Sequence, residues 1–227
     1  MFQVGTQWNP LQAQLKEIIL REDRFDEAVA LLYRMHALVH SAAVYDGSAP
    51  TYMDETYAGV DPQTFQTMPT AKDVTIAWDI WHITRIEDLT TNLLIDEGAQ
   101  VLDAAWAARL HTACTDTGNA MTDPEILQLS RELTMDALRD YRDAVGRRTR
   151  EVIAGLRPGD MRRKVPPAGL ARIREQGGVT AHPDSAWLLD FWGRKTIAGL
   201  CLMPVTRHQI VHLNDCAKLK EKCRRMQ

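Results

Sequence analysis

Two histidines spaced four residues apart near the end of the chain carry the clearest chemical signal in the sequence. Their segment reads Arg207-His208-Gln209-Ile210-Val211-His212. On an α-helix this spacing places both imidazoles on one face, where they can reach a single divalent ion. The segment has no glutamate directly after its first histidine, so it does not imply the mechanism of the HExxH metalloproteases. The pair alone is weak evidence for a metal site.

A third histidine, His82, lies on a predicted helix earlier in the chain. Intervals of four, four, three and four residues place it on one stripe with apolar side chains: Trp78, His82, Ile86, Leu89 and Leu93. The stripe predicts an inward imidazole, which is either a core histidine bonded to a neighbour or a metal ligand. His82, His208 and His212 together supply three ligands, and three protein ligands with one open position are typical of a catalytic divalent-metal site.

The segments that carry these histidines resemble a known family. WHITRIEDLTTNLL from Trp81, preceded by Thr75-Ile76-Ala77-Trp78, and LMPVTRHQIVHLND from Leu202 are similar to the DinB/YfiT-like superfamily of four-helix-bundle proteins, which is distinct from the DNA polymerase of similar name. The resemblance covers about residues 25–225. It implies a Zn²⁺ or Ni²⁺ ion held by His82, His208 and His212, and a homodimer. It also implies hydrolysis of a small-molecule substrate, or transfer or isomerisation that uses a low-molecular-weight thiol.

His36 and His40 form a second pair at helical spacing, on the first long predicted helix. Three roles are open for them: a fourth ligand or second metal, a contact with a metal ligand or substrate, or no role in chemistry. The family pattern does not require them.

Five charged residues lie close in sequence to the candidate ligands: Asp79, Arg85, Glu87, Arg207 and Asp215. A ligating histidine usually donates its other ring N–H to a carboxylate or a carbonyl, so the three acidic residues are candidate partners. Arg85 and Glu87 could equally form a structural ion pair. Arg207 is either a contact for an anionic substrate or a solvated helix residue.

Helical periodicity dominates the chain, and no window alternates as a half-buried strand does. A first helix is predicted from Pro10, and a second begins near Asp23 or Asp26. Thr70 is predicted to cap a helix running from about residue 71 to 95. Residues 42–69 form a long connection, which is either a lid or binding segment or a surface excursion pinned by its aromatic residues.

Asp123-Pro124-Glu125 is a strong start signal and predicts one helix that continues to Leu156, about 50 Å long. A second irregular connection follows Pro158, with one short helix at 169–175. Ser185 is predicted to cap another helix, and the last helix runs from about residue 205 to 224. These elements predict an all-α fold, an antiparallel four-helix bundle with two long irregular connections, and a single domain over residues 1–227.

Composition places the chain among ordinary globular proteins. Its 227 residues are 45% hydrophobic and 25% charged, which excludes low-complexity disorder and a disulfide-stapled miniprotein. The four cysteines form no CxxC pair, so reduced thiols are favoured over a disulfide framework. No secretory signal and no apolar run of the ~18 residues that a membrane span needs are found. A cytoplasmic protein is therefore expected.

Charge is divided unevenly along the chain. Residues 1–146 hold 10 basic and 23 acidic side chains, net −13, whereas residues 147–227 hold 17 and 7, net +10. Nucleic-acid binding is disfavoured, because the basic segments carry no recognised nucleic-acid motif and are not interleaved with aromatic residues. The division is better explained if the two parts pack on each other.

The leading hypothesis is a metal-dependent enzyme, and the alternative is a non-catalytic metal-binding or stress-response scaffold.

Overall fold

The computed structural model describes residues 3–45, 47 and 49–226, and in these residues the secondary structure is helical apart from one isolated β-bridge between Lys164 and Thr196. The all-α prediction is therefore confirmed. The α-helices are α1 Asn9–Ile18, α2 Phe25–Val39, α3 Tyr52–Tyr57, α4 Pro62–Gln66, α5 Ile76–Leu89, α6 Ala104–Leu110, α7 Asp123–Glu132, α8 Met135–Gly155, α9 Pro167–Glu175, α10 Pro183–Gly193, α11 Ile197–Leu202 and α12 His208–Arg224. Single π-helical turns occur at Val4–Trp8, Thr90–Ile95 and Met203–Arg207.

The prediction of one long helix from Asp123 to Leu156 is wrong, because the structure has two helices in this range, α7 and α8. α7 starts at the predicted signal, but its cap is Thr122, in a capping box with Glu125, whereas Asp123 was expected to be the capping carboxylate and is the first residue of the helix. Leu133 then adopts an extended backbone and is fully buried. The Thr134 hydroxyl accepts a hydrogen bond from the Ala137 N–H at 3.3 Å and caps α8. Thr134 therefore acts as the cap of a new helix and does not continue α7.

Two other predicted helix starts are also corrected. α5 begins at Ile76 rather than near residue 71, because the Thr75 hydroxyl accepts from the Trp78 N–H at 2.9 Å. Thr70 instead donates to the Asp73 carboxylate within a turn. The residue that caps α10 is His182, whereas Ser185 lies inside the helix and its hydroxyl accepts from the Thr180 N–H. The 42–69 connection contains the two short helices α3 and α4.

α5 is the central helix of the fold. It packs against α4, α7, α8 and α12, and every one of its residues except Trp78 is buried. A helix that is buried on all sides cannot leave its polar groups to water, so each must find a partner inside the protein. α5 carries an unusually large set of such groups: Asp79, His82, Thr84, Arg85, Glu87 and Asp88.

One buried arginine joins the four longest helices that surround this core. The guanidinium of Arg142 on α8 donates to the carbonyl of Val39 at the end of α2 at 2.8 Å and to Oγ1 of Thr84 on α5 at 3.2 Å. It also donates to Oε1 of Gln209 on α12 at 2.8 Å. Gln209 in turn donates to the carbonyls of Ile83 and Pro204. These bonds fix α12 against α5 at the level of the predicted metal ligands.

Ion pairs link the basic and acidic parts of the chain. Arg148 pairs with Asp96 at 2.6 Å, Arg163 pairs with Glu97 at 2.5 Å, and Lys222 pairs with Asp73.

All four cysteines are free thiols. Within the described residues, no helix combines the length and the apolar character that crossing a membrane requires.

Candidate metal centre

The three histidines predicted as metal ligands meet between α5 and the start of α12. Nε2 of His82 lies 3.2 Å from Nε2 of His208. The ring centroid of His212 lies 4.7 Å from the ring centroid of His82 and 4.6 Å from that of His208. One nitrogen from each ring falls within 4.8 Å of the others, which is the spacing that a shared ion needs. His82 is buried, whereas His208 and His212 are partly accessible.

The tautomer of His82 follows from its neighbour. Its Nδ1 lies 2.7 Å from the carbonyl oxygen of Thr117, which can only accept a hydrogen bond, so Nδ1 carries the proton. Nε2 therefore carries the lone pair, and it lies at hydrogen-bond distance from Nε2 of His208. The ring is also held in its plane by Trp78, which stacks on it at a centroid distance of 4.7 Å and an interplanar angle of 8°.

Thr117 belongs to a row of four consecutive carbonyls that accept hydrogen bonds from side chains of α5. The donors and acceptors are Arg85 with Thr115, Trp81 with Asp116, His82 with Thr117, and Trp78 with Gly118. We call residues 115–118 the carbonyl row. Gly118 has a φ of +77°, and a Cβ there would lie 2.6 Å from Nε1 of Trp78, so this end of the row requires glycine.

His212 is oriented by a carboxylate on the neighbouring helix. Its Nδ1 donates to Oδ1 of Asp79 at 2.7 Å, which leaves its Nε2 lone pair for a ligand. The other oxygen of Asp79 accepts from Sγ of Cys216 at 3.6 Å. Burial raises the pKa of Asp79, and the hydrogen bond from His212 opposes that rise. Such a carboxylate–histidine arrangement is the usual support for a ligating imidazole.

Two of the three imidazoles are held neutral by their surroundings. Burial lowers the pKa of His82 to about 3, and the nearby His212 lowers it further. Burial also lowers the pKa of His208 well below its ordinary value, with added contributions from His82 and His212. At neutral pH both rings therefore offer lone pairs, which is the form that binds a metal ion.

His36 and His40 lie in a separate buried cluster with Glu87. Nε2 of His36 lies 3.0 Å from Oε1 of Glu87, and Nε2 of His40 lies 2.9 Å from Oε2. The two rings stack at 4.1 Å, and all three residues are 0% exposed. The bonds to both imidazoles hold the pKa of Glu87 well below its usual value against the cost of burial, so the carboxylate is ionised and both Nε2 atoms donate to it. These donor atoms also fall within 4.8 Å of one another.

The other charged candidates contact groups outside the histidine triad. Arg85 is fully buried and bonds to Asp88, Tyr141 and Gln100 as well as to Thr115. It therefore supports His82 through the carbonyl row. Asp215 pairs with Lys218 at 2.7 Å, and Arg207 bonds to Asn9 at 3.2 Å.

Sequence reasoning did not identify the carbonyl row or the aromatic side chains of α10 beside the triad. The carbonyl row leaves no signal in residue type, because its acceptors are backbone atoms. The α10 residues Trp187, Phe191 and Trp192 line a cavity that also borders His82 and His208. Their clustering in the segment from Ser185 was a visible signal, but the sequence alone did not place α10 next to the triad.

Comparison with known proteins supports the resemblance on which the ligand set was based. A family model described as DinB superfamily matches residues 48–214. The matched range contains His82, His208 and His212, whereas His36 and His40 lie outside it. No curated protein shows a significant match to the chain.

Proposed function

Because the chain belongs to the DinB superfamily, we propose that it is a divalent-metal-dependent enzyme whose ion is held by His82, His208 and His212. The observation that carries this proposal is the convergence of three imidazole nitrogens from two helices, two of them with the opposite ring nitrogen already bonded. The proposal includes the architecture: α2, α5, α8 and α12 are the helices of one antiparallel four-helix bundle in a single domain.

The family resemblance favours Zn²⁺ or Ni²⁺, and neutral imidazoles are suitable ligands of both ions. A divalent ion with an open coordination position acts as a Lewis acid and lowers the pKa of a water molecule or thiol that binds to it. We therefore propose hydrolysis or thiol-dependent transfer as the reaction class. The chain supplies the orientation: Asp79 fixes His212, and the carbonyl of Thr117 fixes His82.

A single ion is proposed, and the His36–His40–Glu87 cluster is assigned a structural role. In that cluster the carboxylate already accepts hydrogen bonds from both Nε2 atoms. The charge of the nearby buried Arg142 contributes to lowering the pKa of His40, and the same positive charge would oppose a dication there.

Metal analysis of the loaded and desalted protein tests the proposal. We expect about one equivalent of Zn²⁺ or Ni²⁺ in the wild type and in Glu87→Gln, and less than about one tenth in His208→Ala. His111→Asn is the matched control, because His111 is exposed and its left-handed backbone (φ 56°) suits asparagine. A wild-type protein that takes up no metal would refute the proposed site.

Activity is tested on the same preparations. Esterase, amidase and thiol-transfer assays of the loaded wild type should show turnover that His208→Ala lacks and His111→Asn keeps. Metal uptake without any such turnover would favour the non-catalytic scaffold.

A further inference from the structure

The proposed metal centre borders two pockets, one lined by charged side chains and one without them. Beside His212, three lysines and three aspartates line the surface, among them the pairs Lys218 with Asp215 and Lys222 with Asp73. Beside His82 and His208 lies a cavity of about 190 Å³ that has no charged side chain among the described residues that line it. On the side of this cavity, a ligand on the proposed ion can therefore extend into an uncharged space.

Helix α10 forms the outer wall of this uncharged cavity. Trp187 and Phe191 pack edge to face with ring centroids 5.6 Å apart. Trp187 is 48% exposed, which is unusual for so large an apolar side chain. Its indole N–H already donates to the carbonyl of Asp184 at 3.0 Å, so the ring has only apolar surface left to offer. Asn119 adds a polar amide to the described lining beside the two histidines.

The volume of the cavity limits what it can hold. Cavities of about 150 Å³ lined by apolar side chains accept benzene. A cavity of about 190 Å³ therefore has room for one six-membered ring or a hydrocarbon group of similar size, and not for a nucleotide. Because His82 and His208 are part of the lining, such a group must be joined almost directly to the atoms that reach the ion.

We infer that the cavity is the apolar subsite of the substrate, and that the substrate is a small molecule with an aromatic or similarly sized hydrocarbon group next to its metal-binding group. The inference rests on the proposed metal site for the polar end of the substrate. Aromatic side chains of α10 then hold the apolar end, and Asn119 can donate a hydrogen bond to an oxygen between the two ends.

Two metal-binding probes that differ only in their apolar part test this inference. Benzohydroxamic acid carries a phenyl ring and acetohydroxamic acid a methyl group, and calorimetry gives the Kd of each for the zinc-loaded protein. We expect benzohydroxamic acid to bind about tenfold more tightly or better, because the ring leaves water on binding. Asn119→Phe fills the cavity and should bring the ratio of the two Kd values to about one while the bound zinc stays at one equivalent.

The matched control is Val211→Ala, which shortens an exposed apolar residue of α12 that does not line the cavity. It should keep the preference of the wild type. Equal affinities of the two hydroxamates for the zinc-loaded wild type would overturn the inference and leave the metal site standing.

A metal-independent measurement separates the inference from the proposed function. Binding of 4-fluorotoluene to the metal-free protein, followed by fluorine NMR, reports on the cavity alone. If the protein takes up no zinc, the proposed function fails, whereas fluorotoluene binding that Asn119→Phe abolishes still supports the apolar subsite. Absence of fluorotoluene binding to the wild type would overturn it.

Discussion

Nδ1 of His212 and Oδ1 of Asp79 form a 2.7 Å hydrogen bond that joins α12 to α5 at the proposed metal centre. The carboxylate is nearly inaccessible, so water does not compete for this bond. It fixes both the tautomer and the orientation of the imidazole. The partner of His212 is thus a residue 133 positions away, whereas Asp215, three residues away, bonds to Lys218.

Asp79→Asn should weaken zinc binding by about tenfold or more, because a neutral amide supports a ligating imidazole less well than a carboxylate does. Competition with a chromophoric chelator measures the affinity. Asp215→Asn is the matched control and should bind zinc as the wild type does, since the Asp215 carboxylate bonds to the exposed Lys218 and not to a candidate ligand. Similar losses in both variants would contradict the assigned role of Asp79.

Arg142→Met should lower the free energy of unfolding by about 3 kcal/mol or more, because three buried acceptors on three helices lose their donor. Urea denaturation measures the change. Arg139→Met removes an exposed arginine one turn earlier on α8 and should change stability by less than about 0.5 kcal/mol. A small effect of Arg142→Met would show that these bonds add little to the folded state.

Gly146→Ala should destabilise the protein although it lies within α8, where alanine is intrinsically favoured over glycine by about 1 kcal/mol. A Cβ at this position would lie 2.5 Å from Nδ1 of His40, whose ring is already stacked on His36. Gly155→Ala is the control in the same helix, because nothing lies within 4 Å of its added Cβ. It should be neutral or slightly stabilising in thermal denaturation. If both variants gained stability, the close packing at His40 would be refuted.

The stability of the metal-free protein should fall as pH decreases below about 6.5. Burial lowers the pKa of His40 from 6.5 to about 3, and His36 and Arg142 lower it further, while Glu87 opposes the shift. Between these values the unfolded chain binds a proton that the folded chain does not accept, so His40 alone should reduce the free energy of unfolding by about 2 kcal/mol between pH 6.5 and 5. Above pH 6.5 its contribution is constant.

His40→Gln keeps a hydrogen-bond donor for Glu87 but does not titrate. Its free energy of unfolding should therefore fall by about 2 kcal/mol less than that of the wild type between pH 6.5 and 5. Urea denaturation in the presence of a chelator at several pH values gives the comparison. His111→Asn removes an exposed histidine and should leave the slope unchanged. An identical slope for His40→Gln and the wild type would rule out His40 as a source of the pH dependence.

Regular helical spacing predicts the all-α fold class, the shared face of His208 and His212, and the inward position of His82 on its stripe. The meeting of the three histidines is instead what the family resemblance implies, because spacing does not show that α5 packs against α12. Sequence spacing did not reveal that α5 is buried on every side, since that depends on α4, α7 and α8 packing around it. For the same reason the partners of Glu87 were not evident: they are His36 and His40, which lie 51 and 47 residues away.

The break between α7 and α8 shows a different limit. Leu133 and Thr134 fit a continuous apolar pattern, and the choice between capping and continuing a helix differs by only about 1 kcal/mol. Local sequence cannot decide so small a difference against the burial of Leu133.

The carbonyl row of residues 115–118 has a consequence for how this protein tolerates mutation. A backbone acceptor is present whatever the side chain, so a substitution at Thr115, Asp116 or Thr117 removes no acceptor of Arg85, Trp81 or His82. The Asp116 side chain does shape the loop, because its carboxylate accepts from the Gly118 N–H at 2.6 Å. One inserted or deleted residue, however, would shift every carbonyl past its donor at once. The length of this loop is therefore expected to be under stricter selection than its composition, with Asp116 and Gly118 as the exceptions.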